Sequence, residues 1–306
     1  MLQLKLQPQF KNNMFIIKHK KVFVTISVVL VLLSLGAVIF SGLKMGIDFK
    51  GGSLTEIEYK TSRPEQSVVE KDVKSLALGE MVIQPMGTMG YSIKTREINE
   101  TERASLMTSL GNDATEKSFT SIGPSVGAEL VRKSIISFIL VALGIIFWIS
   151  FSFRKVSKPV SSWKYGLIAI VTLIHDIMIP VGAFAILSSI YGTEIDTLFV
   201  VAVLTILGLS VSDTIVVFDR IRENIRVGHF KTFEETVGKS LEQVYTRSIA
   251  TSSTVIIALL ALVFFGPAST KVFAMMLTAG MFFGTYSSIF LASPLLVIVK
   301  NMQKKN

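Results

Sequence analysis

Residues 207–224 read LGLSVSDTIVVFDRIREN. An apolar helical pattern enters this stretch from Ile195 and carries one carboxylate, Asp213, inside it. About two turns later the pattern breaks into charge, with Asp219, Arg220, Arg222 and Glu223 in quick succession. Most of Leu198 to Phe218 is apolar enough for a transmembrane helix. Asp213 would then lie within the hydrocarbon layer, about 7–9 Å from its nearer edge at 1.5 Å per residue. An ionisable group at that depth costs roughly 2.5–3.5 kcal/mol on insertion scales, so it calls for a partner or a function.

The rest of the chain repeats the membrane signal. Half of the 306 residues are hydrophobic and the mean hydropathy is +0.57, too apolar for a soluble protein. Spans are predicted at about 22–43, 134–153, 165–190, 198–218, 248–265 and 272–299. Val22–Phe40 is longer than a usual signal-peptide core and no clear small-x-small cleavage site follows, so it reads as a retained helix. Cysteine is absent, which excludes disulfides, thiolate metal sites and cysteine nucleophiles. With only three histidines, His19, His175 and His229, scattered along the chain, the sequence argues against a multi-histidine metal centre, and no metal or other cofactor is expected.

The net charge of +9 is a topology signal rather than a nucleic-acid signal. Segments 1–21, 154–164, 219–247 and 300–306 carry 5, 4, 6 and 3 Lys/Arg, whereas the short loops 191–197 and 266–271 carry only Lys271. That asymmetry places both termini in the cytoplasm. Residues 44–133 hold 12 Lys/Arg beside 13 Asp/Glu and are nearly neutral.

The expected organisation is a polar, flexible cytoplasmic tail at 1–21, a first transmembrane helix at 22–43, an outside (periplasmic) domain at 44–133, a five-helix transmembrane domain at 134–299 with a cytoplasmic hairpin at 219–247, and a tail at 300–306. Within 44–133, Asp48–Tyr59 alternates as a strand and a helix runs from Ser62-Pro64-Glu65 to about Ala77. A hairpin turns about 86–90, a second helix covers Asn99–Asp113, and a last strand covers Ser118–Ile122. The order β-α-β-β-α-β is that of a ferredoxin-like α+β domain. It shows no catalytic constellation. Gly123–Leu130 (GPSVGAEL) reads as a turn into the second span, and Gly228 and Gly238 read as breaks in the cytoplasmic hairpin. The sixth span carries Gly280, Gly284 and Ser288 at every fourth position. The fifth clusters Ala250, Thr251, Thr254, Ala258 and Ala261 on one face, and both small faces are predicted to pack around the fourth span.

Four residues are candidate ion-coupling positions. Asp213 and Arg247, 34 residues apart across the hairpin, are placed to alternate between an ion pair and a protonated carboxyl with the guanidinium withdrawn. The alternatives are a static salt bridge and an arginine reaching lipid phosphate. Asp176 is a second proton site with His175 as a switchable relay, or else the two are a polar pair bonding neighbouring helices. Asp219, Arg220, Arg222 and Glu223 read as a solvated helix end, and Glu194 and Asp196 as an outside loop.

Beyond these readings, the chain resembles the SecF family, the smaller membrane subunits of the bacterial SecD–SecF export complex. The resemblance is carried by GIDFKGG at 46–52, GPSVG at 123–127, HD at 175–176, EID at 194–196, SVSDTIVVFDRIREN at 210–224, TRSIATS at 246–252 and FGTYSSIFLASP at 283–294. It implies six spans akin to those of resistance–nodulation–division transporters, with a periplasmic domain after the first. It also implies an inner-membrane, non-enzymatic role in protein export, driven by H⁺ or Na⁺ after the motor ATPase SecA has acted. The implied partners are SecD, the SecY-type channel, YajC, the exported precursor and membrane lipid, with no nucleic acid. In the family the fourth-span aspartate and fifth-span arginine are linked to proton flow, and the matching positions are Asp213 and Arg247. Ser212 departs from the Asn that relatives often carry there, and serine has one donor fewer. A small-molecule exporter would need two six-helix halves. An intramembrane aspartyl protease would need a GxGD-type segment where Asp213 has Leu-Ser-Val-Ser-Asp. A purely structural subunit, with the ion chemistry left to SecD, is the remaining alternative.

Overall fold

The computed structural model describes residues 13–79, 81–152, 160–228 and 230–303. The expectations for 1–12, for most of the 154–164 loop, for His229 and for 304–306 fall outside the described residues. Two compact units emerge: one formed by 1–42, 138–191 and 201–306, the other by 43–137 together with 192–200.

The first unit is helical. It contains α1 (Asn13–Lys18), α2 (Lys20–Ser41), most of α6 (Pro124–Ser152), α7 (Ser162–Tyr191), α8 (Thr197–Val227) beyond its first turn, α9 (Phe233–Phe265), α10 (Ala268–Ser287), a π-helical turn (Ser288–Ala292) and α11 (Ser293–Gln303). Among the described residues six helices are long and apolar enough to cross a membrane, the last being the continuous run Ser269–Gln303. The chain is a multi-pass membrane protein. Each predicted span lies within one of these helices or differs from it by a residue or two, and the fourth and fifth extend well beyond the apolar runs. The polar stretch 219–247 is not a separate structure: α8 continues to Val227 and α9 begins at Phe233, capped by Thr232, whose Oγ1 accepts the Glu235 N–H at 3.1 Å. Gly228, at φ +72°, ends α8 as expected, but Gly238 is buried inside α9 and breaks nothing. Packing against the core outweighs its poor helix propensity.

Part of the tail expected to be flexible is also ordered. Asn13–Lys18 is helical and buries Ile16 and Ile17 in a core with Tyr165, Phe218, Leu241 and Leu296. The adjacent pair Ile16-Ile17 gives this short segment apolar side chains to bury, while Phe15 stays exposed.

The second unit is the α+β domain: β1 (Gly52–Tyr59), α4 (Gln66–Lys74), β2 (Val82–Met86), β3 (Gly90–Thr95), α5 (Glu100–Ser109) and β4 (Ala114–Ile122), preceded by a single helical turn, α3 (Ile47–Lys50). The sheet order is β2-β3-β1-β4 with every pair antiparallel, as the ferredoxin-like order requires. Alternation along β1 sends Ser53, Thr55, Ile57 and Tyr59 inward. Ile57 and Ile93 meet Val69 and Val73 of α4 and Leu106 of α5 in the domain core. Asn99 and Glu102 close a reciprocal capping box at the start of α5.

Two expectations shift here. The strand predicted from Asp48 starts only at Gly52, because Ile47–Lys50 coils into a turn that Gly51 ends at φ +81°. GPSVG is not a turn but the first turn of α6, with Pro124 as its opening residue, where a missing N–H goes unmissed. The two glycine motifs pack on each other: a Cβ on Gly51 would stand 2.9 Å from Pro124 N, and one on Gly127 only 2.7 Å from Phe49 O.

Candidate functional site

The close approach of α10 to α8 builds the polar interior of the bundle. A Cβ on Gly280 would fall 2.3 Å from Ile206 Cγ1, and one on Gly284 would fall 3.1 Å from Ser210 Cβ. Glycines at these positions let the backbones meet, as predicted for the sixth span, and bring the next turn, Thr285 to Ser288, within reach of α7 and α8.

Asp176, on α7, is completely buried. His175 Nδ1 lies 2.8 Å from its Oδ1, while the hydroxyls of Ser210 (α8) and Ser287 (α10) both donate to Oδ2, Ser287 at 2.7 Å. The His175 ring stacks on Tyr286 with centroids 6.0 Å apart, and its Nε2 has no hydrogen-bond partner among the described residues. The sequence pair His175-Asp176 is thus one hydrogen-bonded unit tied to three helices.

Asp213 lies about one turn beyond Ser210 on α8 and is only half-buried. Its Oδ2 accepts the hydroxyls of Thr285 (α10) at 3.1 Å and Ser252 (α9) at 3.3 Å. Those two hydroxyls are 2.5 Å from each other, and each has an alternative acceptor for its single proton on its own helix, Ser248 O for Ser252 and Met281 O for Thr285. Thr214, the next residue on α8, brings its Oγ1 to 3.0 Å from Ser288 Oγ. Span six therefore touches Asp213, Asp176 and Thr214 through Thr285, Ser287 and Ser288.

Arg247 does not join this group. Its side chain is exposed on α9 and forms no hydrogen bond or ion pair among the described residues. In the position where the sequence suggested a guanidinium, the structure has two hydroxyls. Ser212 is exposed and makes no hydrogen bond among the described residues either. The small face of α9 also points elsewhere than predicted: Ala250, Thr251, Thr254, Ala258 and Ala261 are all exposed, because α9 turns Ser248 and Ser252 toward the bundle. The charged end of α8 is solvated as expected, with Arg220–Glu223 and Arg222–Asp219 paired one turn apart. Glu194 pairs with Lys94 at 2.9 Å, and Asp196 Oδ1 accepts the Phe199 N–H at 2.7 Å. Among the described residues no three His, Asp or Glu side chains gather as metal ligands.

The side chains on the two carboxylates that residue-type reasoning passed over are Ser210, Ser252, Thr285 and Ser287. All lie in the quoted motifs, and hydroxyls at helical spacing opposite an intramembrane carboxylate were the available signal.

The family profile described as protein export membrane protein SecD/SecF, C-terminal, matches residues 102–302, and that of the SecD/SecF GG motif matches 36–62. The chain belongs to the SecF family. It is 42% identical to the protein translocase subunit SecF of Thermobaculum terrenum, over 94% of both chains. To the SecF of Anaerolinea thermophila it is 34% identical, over 95% of this chain and 96% of the other. Among solved structures, SecDF of Thermus thermophilus, described as a translocon-associated membrane protein, superposes on 98% of the chain with a TM-score of 0.79 at 28% identity. A super-membrane-facing form of SecDF superposes with a TM-score of 0.68. The chain spans 40% of the length of those SecDF chains. The GG motif that names one profile includes Gly51 and Gly52, the glycines at the start of β1.

Proposed function

We propose that this SecF-family chain works with SecD in the Sec export machinery. There it uses the proton or sodium motive force to complete translocation of precursor proteins across the bacterial cytoplasmic membrane. The observation that carries the proposal is Asp213: a carboxylate inside the fourth span, half-open, held among the described residues by two hydroxyls that can bond to one another when it is neutral. A group so placed can exchange an ion without leaving buried polar atoms stranded. One charge crossing 100 mV supplies roughly 2.3 kcal/mol, enough to shift a two-state equilibrium about 50-fold. Asp213 is the exchanging group; Asp176 with His175 is a second coupling position, and Arg247 acts from the exposed side of α9.

The positive-inside asymmetry supports cytoplasmic termini and a periplasmic sheet domain. The exposed small face Ala250–Ala261 supports partnership with SecD, since small residues let another helix approach closely. The SecY-type channel, YajC, SecA and the exported precursor complete the proposed assembly.

The test is export of a secreted precursor in cells depleted of their own SecF and supplied with this chain, wild type or Asp213→Asn, at equal membrane levels. Loss of export with SecD assembly retained is the expected result. Intact export would make the carboxylate structural and the chain a scaffold for SecD.

A further inference from the structure

The segment between α7 and α8 is fastened to the sheet domain more heavily than a connecting loop requires. Its residues 192–200 cluster with that domain rather than with the helices they join. Met45 and Ile195 form a parallel bridge, with Ile195 N donating to Lys44 O at 2.7 Å and Gly46 N donating to Ile195 O at 2.8 Å. Gly46 has no room for a side chain, since a Cβ there would lie 2.8 Å from Ile195 O. Lys94, on β3, pairs with Glu194 at 2.9 Å, and Gln84, on β2, donates to Gly192 O at 3.4 Å.

The decisive contact is at the start of α8. Asp48 Oδ2 accepts both the backbone N–H of Thr197 at 2.8 Å and its hydroxyl at 2.6 Å. A helix normally takes its cap from the residue just before it. Here Asp196, in that position, satisfies the Phe199 N–H, while a residue 149 positions away satisfies the Thr197 N–H. A carboxylate beside these free N–H groups is also favoured by the helix dipole. The first turn of α8 therefore belongs to the sheet domain by its hydrogen bonds, and the same continuous helix carries Asp213 four turns further on.

We propose that Asp48 is a positioning residue and that 192–197 is a fixed joint, so that movement of α8 is delivered to the sheet domain. The inference rests on the ion-coupling reading of Asp213, which supplies the movement. The joint stays closed through the working cycle. Asp48 acts by holding Thr197, and its substitution uncouples the helix from the domain without touching the carboxylate that exchanges the ion.

The absence of cysteine makes a direct test possible. Met45 and Ile195 are bridged neighbours, a spacing within disulfide reach. Precursor export is measured in SecF-depleted cells for Asp48→Ala, for Asp48→Ala with Met45→Cys and Ile195→Cys, and for that cysteine pair alone, each with and without reductant. Asp48→Ala is expected to slow export about tenfold, the scale of a lost charge-assisted cap. The disulfide is expected to restore export to within about twofold of the wild-type rate, and reductant to remove the rescue; a merely structural defect would not follow the redox state of an added bond. Normal export by Asp48→Ala, failure of the disulfide to rescue, or loss of export when the joint is locked in the otherwise wild-type chain would each overturn the proposal. Asp213→Asn, run alongside, separates the two readings. If it exports normally while the disulfide still rescues Asp48→Ala, the ion-coupling reading falls and the joint stands.

Discussion

Asp176 and Asp213 sit on adjacent spans and are contacted by the same stretch of span six, yet they are built oppositely. Asp176 is sealed, and two of its three donors depend on it: Ser287 can turn to Gly284 O, but neither Ser210 nor His175 Nδ1 has another acceptor among the described residues. Asp213 is half-open, and its donors are satisfied without it, through each other and through Ser248 O and Met281 O. A carboxylate whose loss strands its neighbours is a fastening. One whose neighbours can close behind it is suited to changing charge. Burial alone would rank Asp176 as the more unusual residue, whereas the hydrogen bonds favour Asp213 as the proposed exchanging group.

The sharpest way to break this comparison is to neutralise each carboxylate and read export. Asp213→Asn is expected to lower it by as much as about 50-fold, the full leverage of one charge in a 100 mV potential, with little change in melting temperature. A chain that exports normally but melts early would reverse the two roles. The next effect is on stability. Asp176→Ala leaves buried donors unpaired and is expected to cost about 2–4 kcal/mol in detergent unfolding, against under about 1 kcal/mol for Asp213→Ala. Equal losses would erase the distinction. Gly280→Ala probes the approach that serves both sites. Its Cβ runs into Ile206, so about 1–3 kcal/mol should be lost, and Ile206→Ala in the same chain should recover most of it.

The smallest effect sharpens the comparison with a third carboxylate outside the spans. Burial, reinforced by the charge of Asp48, holds the Asp196 carboxyl above its ordinary range, although the Phe199 N–H pulls it down. The folded chain then binds that proton more tightly than the unfolded chain does. Its contribution is greatest in acid, below the ordinary carboxylate value, and is lost as pH rises through the raised one. Asp196→Asn keeps a capping oxygen and removes the titration, so melting temperatures measured from pH 4 to pH 8 should decline less with pH than those of the wild type. An unchanged profile would show that Asp196 contributes nothing to it.

The spans were legible because apolar runs of sufficient length have few other uses, and the sheet domain because β1 alternates and Asn99–Glu102 announces a helix. Asp213 was legible as a charge out of place. Its surroundings were not. Ser210, Ser252, Thr285 and Ser287 are ordinary residues for a membrane helix, and only the rotation of each helix decides which hydroxyl meets which carboxylate. The same ambiguity misdirected the small face of α9, where Ala250 and Ala258 suggested inward packing and the neighbouring Ser248–Ser252 side took that place. The pairing of Arg247 with Asp213 rests on similar depth and on the hairpin that returns span five beside span four, and neither says which way a side chain faces. The anchoring of Thr197 by Asp48 joins segments too distant in sequence for local pattern to connect.

The π-helical turn at Ser288–Ala292 gives span six a property that neither of its halves has. One residue advances an α-helix by about 100°, so this turn puts the two halves of the span out of phase. Before it, the stripe Gly280–Gly284–Ser287 is fitted to α8 and Asp176. After it, Ser293, Leu296 and Val297 are again completely buried, against different neighbours. Deleting a single residue here would remove no chemistry, yet it would swing one half of the span by a quarter turn or more and present it with the wrong face. The span is in effect two keys cut on one shank, and the extra residue sets the angle between them.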